Sequence, residues 1–272
     1  MIFDDTIKFA RELDKQDELR KFRKLFVVGD PETIYMDGNS LGRMPKASVE
    51  LMGNLSEQWS DDLINGWTNG WFKLSQKIGG KIAKLIGARS SEVIVADSTS
   101  INLLKLVLSA LLANPAKKII VSDELNFPSD LQAFQAAIKL LGSTHRLRTM
   151  RSQDGMTIAD FELEKAIKPD VALAALTQTA FRSGYTYDMK KVTSMVHKAG
   201  ALMLWDLSHS VGALPIELNK CNVDLAVGST YKYLNGGPGS PAFLYIREDL
   251  QKTLHNPLAG RSEEHTSELQ SR

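Results

Sequence analysis

The sequence has little cysteine, no long apolar run and no excess of charge of one sign. Cys221 is the only cysteine among 272 residues, so a disulfide-stapled secreted scaffold is excluded and we expect a reducing, cytoplasmic location. Charges interrupt every apolar run of residues 1–30, which predicts no targeting signal. No segment approaches the length of a membrane helix, which needs about 18 uncharged apolar residues.

The 33 basic and 32 acidic residues nearly balance, which argues against a nucleic-acid-binding surface. Small-molecule chemistry is therefore the default expectation.

The last twelve residues differ in character from those before them. The string RSEEHTSELQSR, residues 261–272, follows a loop-like stretch that ends at Gly260. Up to Ser271 it is similar to a translated sequencing-library adapter, and a solvated helical tail is the alternative. We predict three regions: an N-terminal arm over 1–45, a main domain over 46–260 and a non-native tail over 261–272.

Strand and helix patterns alternate along most of the chain. The arm reads as one or two exposed amphipathic helices within residues 4–26, followed by a short strand at 34–36. Helical spacing covers 46–59, 70–86, 102–113, 130–141, 158–167 and 189–199, and apolar strands cover 93–96, 118–122, 143–150, 171–176, 202–205, 225–228 and 242–246. This pattern predicts an α/β fold with a mostly parallel sheet between helices. Such sheets bind ligands at the carboxyl ends of their strands.

Two loops after predicted strands carry hydroxyl and aromatic groups. Residues 97–102 open a helix with hydroxyls and free backbone N–H groups, which suit a phosphate. A Ser or Thr before a helix is more often a plain cap, which stays the alternative. In residues 126–130, a phenylalanine beside a proline-stiffened turn can present its ring face to a flat cofactor. The alternative is a core Phe followed by an Asp helix cap.

Two further loops carry charged groups after apolar strands. Asp206 ends one strand. A buried carboxylate there costs free energy unless it faces a cation, such as a protonated pyridine nitrogen. The alternative is that Asp206 caps a helix. His209 follows three residues later. Lys232 lies between tyrosines and before a run of glycines; burial would lower its pKa and make it a Schiff-base nucleophile, although a surface lysine is the commoner case. Because Asp206 and Lys232 follow successive strands, we expect both to face one pocket.

Five motifs together resemble the fold-type-I pyridoxal 5′-phosphate (PLP) enzymes, and among these the kynureninase family most closely. They are GNSLG at 38–42, DSTSINL at 97–103, NFPSD at 126–130, WDLSHSVGA at 205–213 and TYKYLNGGPGS at 230–240. The resemblance covers about residues 1–260, with a departure from the family pattern at 178–184. It implies that 46–260 is a PLP-binding large domain and that a C-terminal small domain is missing.

The resemblance also implies an activity and site residues. The reaction is hydrolytic cleavage of the Cβ–Cγ bond of L-kynurenine, or of 3-hydroxykynurenine, to anthranilate or 3-hydroxyanthranilate and L-alanine in tryptophan catabolism. Lys232 would bind PLP covalently and remove the Cα proton, Asp206 would pair with the ring nitrogen, and Tyr231 is a candidate proton relay. The other implied contacts are Thr99, Ser100, Phe127, Pro128, Ser129, Asp130, Thr177 and His209 to the cofactor, and Ser40 on the substrate side. A homodimer is implied, and no metal is predicted.

Other functions stay open. Because the family's substrate-carboxylate arginine lies beyond Gly260, we expect the 272-residue chain to bind PLP weakly and to have little or no activity. A class-V aminotransferase would share the sheet, the aspartate and the lysine. A desulfurase needs a cysteine after the lysine, whereas Cys221 precedes Lys232. A non-catalytic domain on the same fold is a further alternative, and a nucleotide-binding Rossmann domain ranks last because no GxGxxG follows an early strand.

Overall fold

The apolar runs of the sequence form seven strands of one sheet. A computed structural model describes residues 4–258. The strands are β1 (Val93–Val95), β2 (Ile119–Asp123), β3 (Arg146–Met150), β4 (Val171–Thr177), β5 (Leu202–Asp206), β6 (Leu225–Gly228) and β7 (Phe243–Ile246), in the spatial order β1-β7-β6-β5-β4-β2-β3. Neighbours among β2 to β6 are parallel, and β7 is antiparallel to both β6 and β1. The prediction of a mostly parallel sheet is confirmed.

Helices occupy most of the stretches with helical spacing. They are α1 (Ile7–Gln16), α2 (Lys46–Asp62), α3 (Asn65–Thr68), α4 (Leu74–Leu85), α5 (Thr99–Ala113), α6 (Pro128–Leu140), α7 (Asp160–Ala166) and α8 (Met189–Lys198), with 3-10 helices at Glu18–Leu25, Trp71–Lys73, Ser90–Glu92 and Glu248–Leu250. Helix α5 begins three residues earlier than predicted, because the Ser98 side chain accepts the Ile101 N–H and caps it. Helix α6 begins at Pro128, whose fixed φ suits the first helical position.

The core lies on both faces of the sheet. Met203 and Trp205 of β5 pack into one apolar cluster with residues of α4, α7 and α8. Leu204, between them, packs into a second cluster with α5 and α6. This alternation follows the two-residue period of a strand. All seven residues of β4 are buried, as expected for a central strand covered on both faces.

The topology brings the polar loops to one edge of the sheet. Strands β1 and β6 are both antiparallel to β7, so β1 points in the same direction as β6 and its parallel neighbours. The loops that follow β1, β2, β4, β5 and β6 therefore leave the sheet at the same edge. Thr177 pairs in register with Asp206, and the β6 loop that contains Lys232 lies beside β5.

The N-terminal arm departs from the sequence-based expectation at one point. Residues 34–36 form no strand. The side chains of Ile34 and Met36 are 86% exposed, so they do not pack against the core. The exposed helical character predicted for residues 4–26 is confirmed by α1 and the first 3-10 helix, since neither buries a residue. Within residues 4–258, no helix has the length and apolar character required to cross a bilayer. The predicted tail, 261–272, lies outside the described residues.

Candidate active site

Lys232 is a buried amine at the carboxyl edge of the sheet. It follows β6 and is 7% exposed, and its Nζ lies 2.8 Å from Nε2 of His209. The same Nζ is 5.5 Å from the ring centroid of Phe127 and 5.6 Å from that of Tyr231. Burial lowers the pKa of Lys232, while the negative charges of Asp206 and Asp130 oppose that shift. The structure therefore contains the desolvated amine that the sequence predicted.

Asp206 and Asp130 form a pair of buried carboxyl groups near this amine. They are 4% and 2% exposed. Burial raises the pKa of Asp130 to about 8, and the charge of Asp206 and a hydrogen bond to it act in the same direction. Within residues 4–258, Oδ2 of Asp130 meets no hydrogen-bond donor. Burial therefore favours the protonated form of Asp130, and the pair presents carboxyl oxygens to a cationic or proton-donating group.

Ser208 holds Asp206 in place and was missed by the sequence interpretation. Its hydroxyl donates to Oδ1 of Asp206 at 2.6 Å, and its backbone N–H donates to the same oxygen at 2.9 Å. The spacing Asp-x-Ser at a strand end is typical of such a local hydrogen bond. That spacing was the available signal within the motif around Asp206.

Aromatic rings enclose one side of the amine. The Phe127 ring is 5.0 Å from that of Phe181 in an edge-on arrangement, and the Phe181 ring is 6.3 Å from that of His209. The pKa of His209 is lowered by burial and then by the nearby charge of Lys232, which favours a neutral imidazole. Phe181 lies in the stretch that departs from the family pattern, so its place in this cluster was not predicted.

The N-terminus of α5 opens beside the same loops. Thr99 and Ser100 belong to its first turn, whose N–H groups have no acceptor within the helix. Thr99 also lines a cavity of about 640 Å³. The other lining residues are Ser40, Leu41, Asp97, Ser98, Tyr231 and 238–242. Burial raises the pKa of Tyr231, and so do the charges of Asp206 and Asp130. The phenol therefore stays protonated and able to donate a hydrogen bond.

Hydrogen bonds join the segment that contains Ser40 to the Lys232 loop. The N–H of Gly42 donates to the carbonyl of Tyr231 at 2.9 Å, and Nδ2 of Asn235 donates to the carbonyl of Arg43 at 2.8 Å. A Cβ at position 42 would lie 2.2 Å from the carbonyl oxygen of Lys232. Only a glycine permits this approach, which brings Ser40 to the cavity.

The three remaining predicted residues lie at the same edge. Pro128 begins α6, and Oγ of Ser129 is 3.4 Å from Oδ1 of Asp130. Oγ1 of Thr177 donates to the carbonyl of Thr179 at 3.1 Å. The structure thus brings all the sequence-predicted site residues to the loops at one edge of the sheet, while their roles stay predictions.

A comparison with protein families accounts for this arrangement. The model of the family described as aminotransferase class-V matches residues 34–272. The chain belongs to the class-V aminotransferase family. Enzymes of this family use PLP. The site fits that cofactor: Lys232 is an amine for its aldehyde, Asp206 and Asp130 suit a protonated ring nitrogen, the Phe127 ring suits its face, and the first turn of α5 suits its phosphate.

Individual relatives refine the family assignment. Kynureninases from Pseudomonas fluorescens and Burkholderia mallei (strain SAVP1) are 41% and 42% identical to this chain, over 91% and 94% of it. The matches cover 59% and 61% of those proteins, so the chain spans about three fifths of the curated relatives that it matches. Recognition of this class-V family member as a kynureninase homologue is confirmed.

A solved structure supports the fold. A cysteine desulfurase from Escherichia coli superposes with a TM-score of 0.73 at 16% identity, over 90% of this chain and 62% of that one. At this identity the likeness shows the fold alone. The prediction of the large-domain sheet of fold-type-I PLP enzymes is thereby confirmed.

Proposed function

We propose that this chain carries the PLP-binding part of a kynureninase, which hydrolyses the Cβ–Cγ bond of L-kynurenine or 3-hydroxykynurenine to release anthranilate or 3-hydroxyanthranilate and L-alanine. The observation that carries the proposal is a buried amine, Lys232, that shares its surroundings with the carboxyl pair Asp206 and Asp130. The identity of 41–42% to kynureninases supports the choice of substrate.

The roles of the chain's own residues follow from their surroundings. Bound PLP supplies an electron-withdrawing ring that stabilises negative charge on substrate carbon. Lys232 would hold the cofactor covalently and, once released, accept the proton from Cα, since burial already lowers its pKa. Asp206 would keep the ring nitrogen protonated, and Phe127 would cover the ring face. The phenol of Tyr231, which stays protonated, would donate a proton to the cleaved carbon.

The position of Cys221 makes this thiol unsuitable as the nucleophile of a desulfurase. Cys221 precedes β6, whereas Lys232 follows it, so the strand separates the thiol from the amine. The thiol lies beside Lys190, Ser194 and His197 of α8, and burial raises its pKa. A protonated thiol at the opposite end of β6 is a poor nucleophile for chemistry at Lys232.

Product analysis tests the proposed reaction. PLP-treated chain at high concentration is incubated with L-kynurenine and, separately, with 3-hydroxykynurenine. Because the chain spans about three fifths of its relatives, slow turnover is expected. We expect equal amounts of the anthranilate and alanine, both lost in Lys232→Ala. A keto acid as the product would identify an aminotransferase instead. Formation of anthranilate that does not depend on Lys232 would also contradict the proposal.

We also propose that the protein is a cytoplasmic homodimer. The 17-residue helix α2 buries none of its residues, although its exposed side chains include Leu51, Met52, Leu55 and Trp59. An exposed apolar face of this kind is typical of an interface. Sedimentation equilibrium is expected to give twice the chain mass of 30.1 kDa, and a monomer mass at micromolar concentration would contradict the dimer. Reporter-tagged protein outside the cytoplasmic fraction would contradict the location.

A further inference from the structure

The hydroxyl of Ser208 connects the two strand ends that carry the proposed chemistry. Ser208 is 3% exposed. Its Oγ donates to Oδ1 of Asp206 at 2.6 Å and accepts the backbone N–H of Ser229 at 3.0 Å. Asp206 ends β5, and Ser229 directly follows β6 on the way to Lys232. One buried hydroxyl therefore bridges the Asp206 carboxyl group and the Lys232 loop.

The direction of these hydrogen bonds is fixed. An N–H can only donate, so Oγ of Ser208 accepts from Ser229 and has its single proton available for Asp206. The backbone N–H of Ser208 reaches the same carboxylate oxygen at 2.9 Å. Both donors of Ser208 end on Oδ1, so they leave Oδ2 of Asp206 to other partners.

The two hydrogen bonds from Ser208 orient the carboxyl group of Asp206. They fix the plane of this group, because a rotation about the Cβ–Cγ bond that moves the accepting oxygen away from Ser208 breaks both bonds.

We infer that Ser208 is a positioning residue, which acts through Asp206 to hold the ring nitrogen of the cofactor rather than its phosphate or aldehyde. The inference rests on the proposed function, since it requires that PLP binds at Lys232. It predicts that loss of the Ser208 hydroxyl weakens the binding only of ligands that carry the ring nitrogen. A hydroxyl with a purely structural role would affect ligands with and without that nitrogen equally.

The test compares two ligands that differ only at this atom. Affinities are measured by equilibrium dialysis for PLP and for its carbocyclic analogue, in which carbon replaces the ring nitrogen. The variants are Ser208→Ala and the nearly isosteric Ser208→Cys, whose thiol is a weak donor. Ser229→Ala is the matched control: its hydroxyl is also buried and has no hydrogen-bond partner among residues 4–258, while the backbone N–H that Ser208 accepts remains.

We expect both Ser208 variants to bind PLP about tenfold more weakly, as for the loss of a hydrogen bond to a charged group. Their affinity for the carbocyclic analogue should equal that of wild type, and Ser229→Ala should retain both affinities. Equal loss for both ligands, or no loss for either, would overturn the inference and leave the proposed function standing. A wild-type chain that binds neither ligand would overturn the proposed function and the inference with it.

Discussion

At the scale of single residues, the site is defined by groups whose ionisation is set by burial. Asp130 and Asp206 are buried acidic side chains, and burial together with the charge of Asp206 raises the pKa of Asp130 to about 8. Lys232 shows the opposite shift, since burial lowers its pKa. Perturbed groups of this kind are concentrated at functional sites, and here they follow β2 and β6 at the same edge of the sheet.

The raised pKa of Asp130 predicts a pH dependence of stability. Because its pKa rises from an ordinary 3.8 to about 8 on folding, the group contributes stability that is complete below about pH 4 and is lost as pH rises towards 8. The stability falls with pH in that window because the unfolded chain releases this proton more readily than the folded one. Asp130→Asn, which mimics the protonated acid, should lose less stability from pH 5 to pH 9 and be more stable than wild type at pH 9.

Urea unfolding of the cofactor-free protein at each pH measures this difference. Asp123→Asn is the control: the pKa of Asp123 is raised only to about 6, by burial, so this variant should keep the wild-type loss above pH 7. An Asp130→Asn variant with the same pH profile as wild type would show that Asp130 is ionised throughout.

The sequence identified the proposed catalytic residues more readily than the residues that contact them and hold them in place. Asp206 and Lys232 stand out because charged side chains follow apolar strands. Ser208 did not, because a serine two residues after an aspartate is common in turns and its buried contacts depend on β6, which comes about twenty residues later. Phe181 was missed for a similar reason, since its contact with Phe127 joins two loops that are distant in the chain.

At the scale of elements, tight backbone approaches determine where the site residues lie. The segment 38–42 is not a strand or a helix, and it is held by the hydrogen bond from Gly42 to Tyr231. Strand and helix positions followed from hydrophobic periodicity, whereas their ends depended on caps. The short apolar run at 34–36 was misassigned as a strand, because periodicity cannot show whether a partner strand exists to pair with it.

The close contact at Gly42 predicts a selective effect of an added methyl group. Gly42→Ala places Cβ 2.2 Å from the carbonyl oxygen of Lys232 and 2.5 Å from Nδ2 of Asn235. The segment must move away from the Lys232 loop, and PLP affinity should fall by roughly tenfold or more. Gly38→Ala is the matched control in the same motif, since, apart from its chain neighbours, no atom of residues 4–258 lies within 4 Å of its Cβ position. Equal affinities in the two variants would contradict the importance of this contact.

At the scale of the whole molecule, the alternation of strands and helices was sufficient to predict the class of fold. It was not sufficient to predict the order of the strands, in which β1 pairs with β7 and β2 lies between β3 and β4. The common direction of β1 to β6 places the loops after these strands at one edge, and the strand order determines which of these loops are neighbours. The fact that the chain spans about three fifths of its kynureninase relatives makes cofactor attachment a more direct test than turnover.

The most direct test is to locate the cofactor on the chain. PLP-treated protein is reduced with borohydride, digested and mapped by mass spectrometry. We expect loss of the yellow absorbance and a reduced PLP adduct confined to Lys232, while the equally buried Lys105, also 7% exposed, stays unmodified; the adduct should be absent in Lys232→Ala. Modification spread over surface lysines, or a specific adduct that persists in Lys232→Ala, would contradict the assignment of this edge of the sheet as the cofactor site.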